Sequence, residues 1–431
     1  MSNRMIGALC AALVLSLSSC STEGSAQEES PEPVQEEVHP HLGFDPPREF
    51  APDSTVEINN NAVAVGRGGT AYAVLHEMGD TFAEVVEVDL LTGEYLWVHQ
   101  LSLTDEDKVI GHLIDTDFRS RPRTNGDLVF VSHIHDVPQR GTRPFAKEVH
   151  AVALDSEDGS VAWSTQLSDS GGVGTSTRVL GANNDWVLVI EDQSPQIWPK
   201  PAVGEIYLLE ASTGDVVWSA EEYTSARLEG DIVLVSVADE ESDTFGPAWG
   251  SHRRSALEAA TGETLWESEE FRGFFGWNTP TDSLQGSGLA LVSGNLAGEE
   301  GERSNLLDAS TGVVVHSFEG NALCHFDSVD VLVCETRDDQ YGAADTLLGF
   351  NTETHEELWR FADDRVIPTL HTAHKGLVYV EANGVPVILD ARSGEDEVAE
   401  AKIAPRVVMD GFGLVLDEEG ASETSVHPAT A

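Results

Sequence analysis

The chain has 431 residues, with 75 Asp+Glu against 24 Lys+Arg and a formal charge of −51. A surface this acidic repels phosphate backbones and anionic headgroups, which excludes nucleic acid as a partner and a multispan membrane body. Hydrophobic residues at 40% and 39 glycines leave enough apolar material for a packed body, as two or three average domains or one large β-fold.

Residues 1–19 read as an export signal, with Arg4 in the basic region and an apolar stretch from Ile6 to Leu17 too short to span a bilayer. Leu17-Ser18-Ser19-Cys20 resembles the bacterial lipobox, whose cysteine is diacylated on its sulfur before cleavage. That resemblance implies a lipoprotein anchored through palmitate-type chains on Cys20 and held on the extracytoplasmic side of a membrane. Two acyl chains suffice for stable anchoring. Residues 20–54 then form a lipidated cysteine and an acidic tether, rich in Glu, Pro and Ser and too poor in aliphatics to offset its ordering entropy. A flexible chain of some thirty residues places the folded body on the order of 30 Å from the membrane.

From Thr55 onward the sequence repeats itself. Val88-Asp89 leads to Gly93 and Trp97, Leu154-Asp155 to Gly159 and Trp163, and Leu209-Glu210 to Gly214 and Trp218. Leu257-Glu258 leads to Gly262 and Trp266, and Leu307-Asp308 to Gly312 and His316. Phe350-Asn351 leads to His355 and Trp359, and Leu389-Asp390 to Gly394 and Val398. Each acidic or amide side chain can accept the amides exposed as the chain turns, and glycine supplies the left-handed backbone that closes the turn. The tryptophan in the following strand offers a broad ring to cover a neighbouring sheet. Repeats some 39 to 66 residues apart, built from short strands, predict a β-propeller.

Short apolar runs precede the hairpins: Ala71–Leu75, Leu128–Ser132, Trp186–Ile190, Ile232–Val237, Leu289–Val292, Val331–Val333, Leu377–Val380 and Leu414–Leu416. These eight runs outnumber the seven hairpins, and Thr55–Ile58 is a spare strand at the front. The economical expectation is an all-β ring of eight blades over residues 55–420, the last split between the termini, with 421–431 a flexible tail. A seven-bladed ring with a terminal clasp is the alternative.

The repeat resembles that of the PQQ-like β-propeller family, Ala-x-Asp-x-x-Thr-Gly-x-x-x-Trp, across about residues 55–420. The family includes quinoprotein dehydrogenases and non-catalytic lipoproteins of envelope assembly. For the enzymes, the resemblance implies a quinone held on the axis between a Trp and a disulfide of adjacent cysteines, with calcium beside it. This chain has no adjacent Cys pair, so a dehydrogenase binding PQQ and calcium is the lesser reading and no cofactor is expected.

With Cys10 in the signal and Cys20 in the anchor, Cys324 and Cys334 remain. A hairpin symmetric about Val329 sets them opposite each other, and a cross-strand disulfide is expected. His133 and His135 alternate as a transition-metal pair would, yet without a third ligand they read as surface-loop residues, and no metal site is assigned. Three long insertions, 133–148, 192–204 and 239–254, fall in consecutive units and predict a loop-bearing rim. Arg140, Arg143, Trp198, Trp249, Arg253 and Arg254 are its candidate contacts, since aromatic and Arg residues are enriched at interfaces. The expected molecule is a monomeric, non-catalytic scaffold for a protein, cell-envelope or small-molecule partner, touching the membrane only through its lipid.

Overall fold

The computed structural model describes residues 45–58, 63–66, 68–75, 83–101, 122–137, 142, 146–169, 175–193, 203–238, 252–268, 271–272, 283–293, 295–296, 303–338, 343–361, 365–409, 411–416 and 424–431. None of these residues is helical, and the strands run antiparallel in consecutive sheets. The first sheet holds Val63–Val65, Thr70–Leu75, Ala83–Asp89 and Tyr95–Leu101. Arg123–Thr124, Leu128–Val137, Ala146–Asp155 and Val161–Ser168 make the second. The third and fourth share one long strand, Val216–Glu229, which is outermost in one and innermost in the other. Leu289–Ser293, Arg303–Asp308 and Val314–Glu319 belong to the fifth, and residues 321–360 and 369–398 supply the sixth and seventh.

The closing sheet draws on both termini. Val407–Met409, Phe412–Leu416 and Thr424–Pro428 pair in order, and Val56–Ile58 adds the outer strand by pairing Val56 with Val426. Residues 421–431 are therefore not all tail: Thr424, Val426 and Ala429 are fully buried in this sheet. The tether also ends earlier than residue 54. Phe50 is buried against Tyr379 and Ala429, Tyr379 donates its hydroxyl to Pro47 O at 2.7 Å, and Arg48 pairs with Glu397 at 2.9 Å.

Apolar side chains fill each joint between successive sheets. Tyr72, Val85, Val131 and Val152 pack between the first and second, while Leu332, Cys334 and Phe350 face Leu291 and Leu306 between the fifth and sixth. Ala71, Val86, Phe412 and Val426 join the closing sheet to the first, so the ring has no open margin there.

The repeat's residues act across these joints. Trp97, Trp163, Trp218, Trp266 and Trp359 donate their indole N–H to the carbonyls of Ser156, Ala211, Ala259, Ala309 and Ala391, each in the next sheet's hairpin. The same rings lie over the hairpin glycines. A Cβ on Gly159, Gly214, Gly312 or Gly394 would sit 2.5–2.6 Å from ring atoms, and one on Gly262 would sit 3.1 Å away. Glycine is thus required twice over, by a φ near +70° and by the ring pressed on it. Where His316 replaces the tryptophan, the next hairpin turns on His355 at φ 58°, with a side chain where the others have none. Gly93, the first copy, meets Val56 of the closing sheet instead of a ring.

The acidic position splits into two chemistries. Asp89, Asp308, Asn351 and Asp390 each accept two backbone amides of their own turn, as Asp89 Oδ1 does from Leu91 and Thr92 at 2.9 and 2.7 Å. Glu210 and Glu258 are one methylene longer and take the Thr213 and Thr261 hydroxyls at 3.0 and 2.7 Å. Cys324 and Cys334 face each other in register and are disulfide-bonded, with Cα atoms 4.1 Å apart.

Candidate functional site

At the ends of the sheets remote from the glycine hairpins, the second and third strands run on past their apolar stretches. Leu128–Val137 pairs with Ala146–Asp155 along its whole length, and Ile232–Ala238 with His252–Glu258. The connecting segments between strands are therefore 138–145, 194–202 and 239–251, shorter than the hydrophobic runs imply. The ladder continues because polar side chains, buried at the joints, take over from the apolar ones.

This geometry divides the expected rim. Arg140, Arg143, Trp198, Trp249 and Cys20 lie outside the described residues. Arg253 is exposed and pairs with Glu267 at 3.2 Å. Arg254 is not a rim residue. Adjacent strand residues point to opposite faces, so Arg254 enters the joint toward the fifth sheet with 0% exposure, near Ser236 Oγ at 3.4 Å. Burial lowers its guanidinium to about 9.

His133 and His135 are likewise strand residues, not loop residues, and are only 6% and 5% exposed. They continue the face begun by Val129 and Val131, toward the first sheet. His150, the cross-strand partner of His133, stacks on it with ring centroids 5.5 Å apart and an interplanar angle of 16°. His150 Nε2 also meets Glu148 Oε2 at 3.3 Å. His99, two residues past Trp97, approaches from the first sheet's outer strand. Neither ring nitrogen of His133 has a hydrogen-bond partner. Burial, then the neighbouring histidines His150, His135 and His99, lowers its pKa to about 3, and burial lowers His150 and His99 as well. Sequence reading missed His99 and His150; the period of two that carries Val129 and Val131 into His133 was the available signal.

A second buried polar group lies at the joint of the second and third sheets. Ser168 donates to Glu191 Oε2 at 2.5 Å, and Tyr207 reaches the same oxygen at 3.4 Å. Burial, then Glu205 and Glu191, raises the Tyr207 phenol, so it stays protonated as a donor.

The quinone and calcium do not fit the described residues. The disulfide joins opposed strands, not adjacent residues, and is fully buried among Leu306, Leu332, Leu348 and Phe350, with no face open to a planar ring. Among the described residues, no group of three His, Cys, Asp or Glu is disposed to hold a metal ion. The Asp155 turn, whose spacing faintly suggests a calcium loop, uses Asp155 Oδ1 to accept the Glu157 amide at 2.8 Å.

No family model matches the chain, and no curated protein matches it in sequence. Among solved structures it is similar to a europium-containing methanol dehydrogenase at 11% identity and a TM-score of 0.41, covering 80% of this chain and 79% of that one. A quinohemoprotein alcohol dehydrogenase from Comamonas testosteroni gives 11% and 0.42, covering 88% and 76%. The β-propeller domain of the Trilobed protease from Pyrococcus furiosus gives 11% and 0.42, covering 80% and 97%. None reaches a TM-score of 0.5, and no residue role passes from them to this chain.

Proposed function

We propose that this protein is a PQQ-like propeller lipoprotein, anchored through Cys20 on the extracytoplasmic side of a membrane, that acts as a non-catalytic scaffold for a protein or cell-envelope partner. One observation carries the reading. The segments 138–145, 194–202 and 239–251 join strands of the second, third and fourth sheets, which are consecutive, at the sheet ends opposite the glycine hairpins. Connectors on a rigid sheet frame are where binding residues concentrate. Arg253 stands exposed at the base of one of them. The misfit of the quinone site supports a scaffold over a dehydrogenase, and the lipobox-like Leu17-Ser18-Ser19-Cys20 supports the anchor.

Two measurements test this reading. Growth with a labelled fatty acid should mark the parent protein and leave Cys20→Ala unmarked; equal labelling of both rejects the anchor. Co-purification from detergent-solubilised envelopes should recover a partner with the parent that is depleted with Trp249→Ala or Arg253→Ala. An unchanged partner set rejects the rim, and dye reduction by protein incubated with quinone and calcium rejects the scaffold.

A further inference from the structure

Beyond its apolar part, the joint between the first and second sheets holds a layer of groups whose charge state depends on pH. His133, His135 and His150 are 6%, 5% and 7% exposed, and His99 completes the set from across the joint. Among the described residues, Glu148 pairs with His150 at 3.3 Å. Glu87, farther toward the hairpin end on the first sheet, is itself buried and accepts the Thr70 hydroxyl at 2.7 Å. The apolar first-sheet residues packed at the joint, among them Tyr72, Val74, Ala83 and Val85, bring no charge near neutral pH.

Neutral, these rings pack as flat, weakly polar plates. Protonated, His133 and His150 become two cations with centroids 5.5 Å apart in a water-poor joint; Glu148 pairs with His150, while neither ring nitrogen of His133 has a hydrogen-bond partner. Unpaired buried charge is among the costliest features a protein can hold, and opening the joint to water relieves it. Between the sixth and seventh sheets His325 is buried as well, but its neighbour His371 is tied through Nδ1 to Ala404 O at 3.0 Å.

We propose that this joint is an acid-operated hinge: proton uptake by the histidine set parts the Leu128–Val137 and Ala146–Asp155 hairpin from the outer strand Tyr95–Leu101 before any other joint in the ring opens. The hinge is a property of the ring alone and stands whether or not the scaffold reading does.

Hydrogen–deuterium exchange of the full chain, followed from neutral to mildly acidic pH and corrected for intrinsic rates, reads it directly. Peptides over 95–101, 128–137 and 146–155 should lose protection at a higher pH than those over 321–337. His133→Leu, which keeps an apolar body in the joint and removes the titrating group, should move that midpoint to lower pH by roughly one unit. His150→Gln, which retains a partner for Glu148, should shift it in the same direction and serves if the leucine variant fails to fold. Loss of protection at one pH throughout the ring overturns the hinge, as do midpoints unmoved in both variants. Protection of the same peptides by zinc at neutral pH overturns it too, by making the set a metal site.

Discussion

The first-to-second and fifth-to-sixth joints solve one packing problem with opposite chemistry. At the former, Trp97 presses on Gly159 and donates to Ser156 O, and above that brace lies a layer of histidines. At the latter the brace is missing. His316 stands in its place, with ring centroids 4.7 and 4.5 Å from Phe318 and Phe350, and the joint above is leucine, phenylalanine and a buried disulfide. The braced joint carries a layer of histidines; the unbraced one is mainly apolar, with Ser304 buried against Gly320 and Ala322, and is covalently clamped within the sixth sheet. The two joints therefore differ in how much titratable material they bury.

Several substitutions probe that contrast. Trp163→Ala removes a ring 8% exposed and an indole bond of 2.8 Å, and should cost about 3–5 kcal/mol in denaturant unfolding, whereas His316→Ala should cost about 1–2 kcal/mol. Equal costs would mean that the tryptophan is ordinary filling. Replacing Cys324 and Cys334 together by Ala frees a link spanning 10 residues and should cost about 2–3 kcal/mol, read against the reduced parent as control.

Acid acts through the histidines with a defined sign. His133 has a folded pKa of about 3 against 6.5 for the free side chain, so the unfolded chain takes up the proton first. Stability is full above about pH 6.5 and falls as pH drops toward 3, by about 2 kcal/mol at pH 5 from this residue alone. His133→Leu should flatten that part of the stability–pH curve. The smallest effect has the opposite direction: His355→Gly relieves a left-handed side chain at φ 58° and should stabilise by about 0.5–1 kcal/mol, measurable as a raised Tm.

Much of this was legible in the sequence because the hairpins are local. Acidic residue, glycine and tryptophan at fixed spacing specify a turn and a ring that must find a neighbour, and the opposition of Cys324 to Cys334 follows from one symmetric hairpin. Long-range closure was not. Thr424-Ser425-Val426-His427-Pro428 has one aliphatic residue and reads as a tail, yet Phe412–Leu416 on one side and Val56–Ile58 on the other bury it. Phe50 looks isolated in a polar segment until Tyr379 and Ala429 close on it. Arg254 reads as an exposed cation because sequence gives alternation but not which face meets the next sheet. His133 was misplaced because the apolar run ends before the strand does.

Each tryptophan and the glycine of the next hairpin form one unit, and the sharpest test is a double-mutant cycle on Trp163 and Gly214. In the parent, Gly214→Ala drives a Cβ to 2.5 Å from the ring and strains a φ of 74°. With Trp163→Ala already in place, the ring clash is gone and only the backbone strain of about 1–2 kcal/mol and the 2.8 Å approach to Thr165 Oγ1 remain, leaving a coupling of at least about 1 kcal/mol. Costs that simply add would mean that ring and glycine act independently and that no brace joins the sheets.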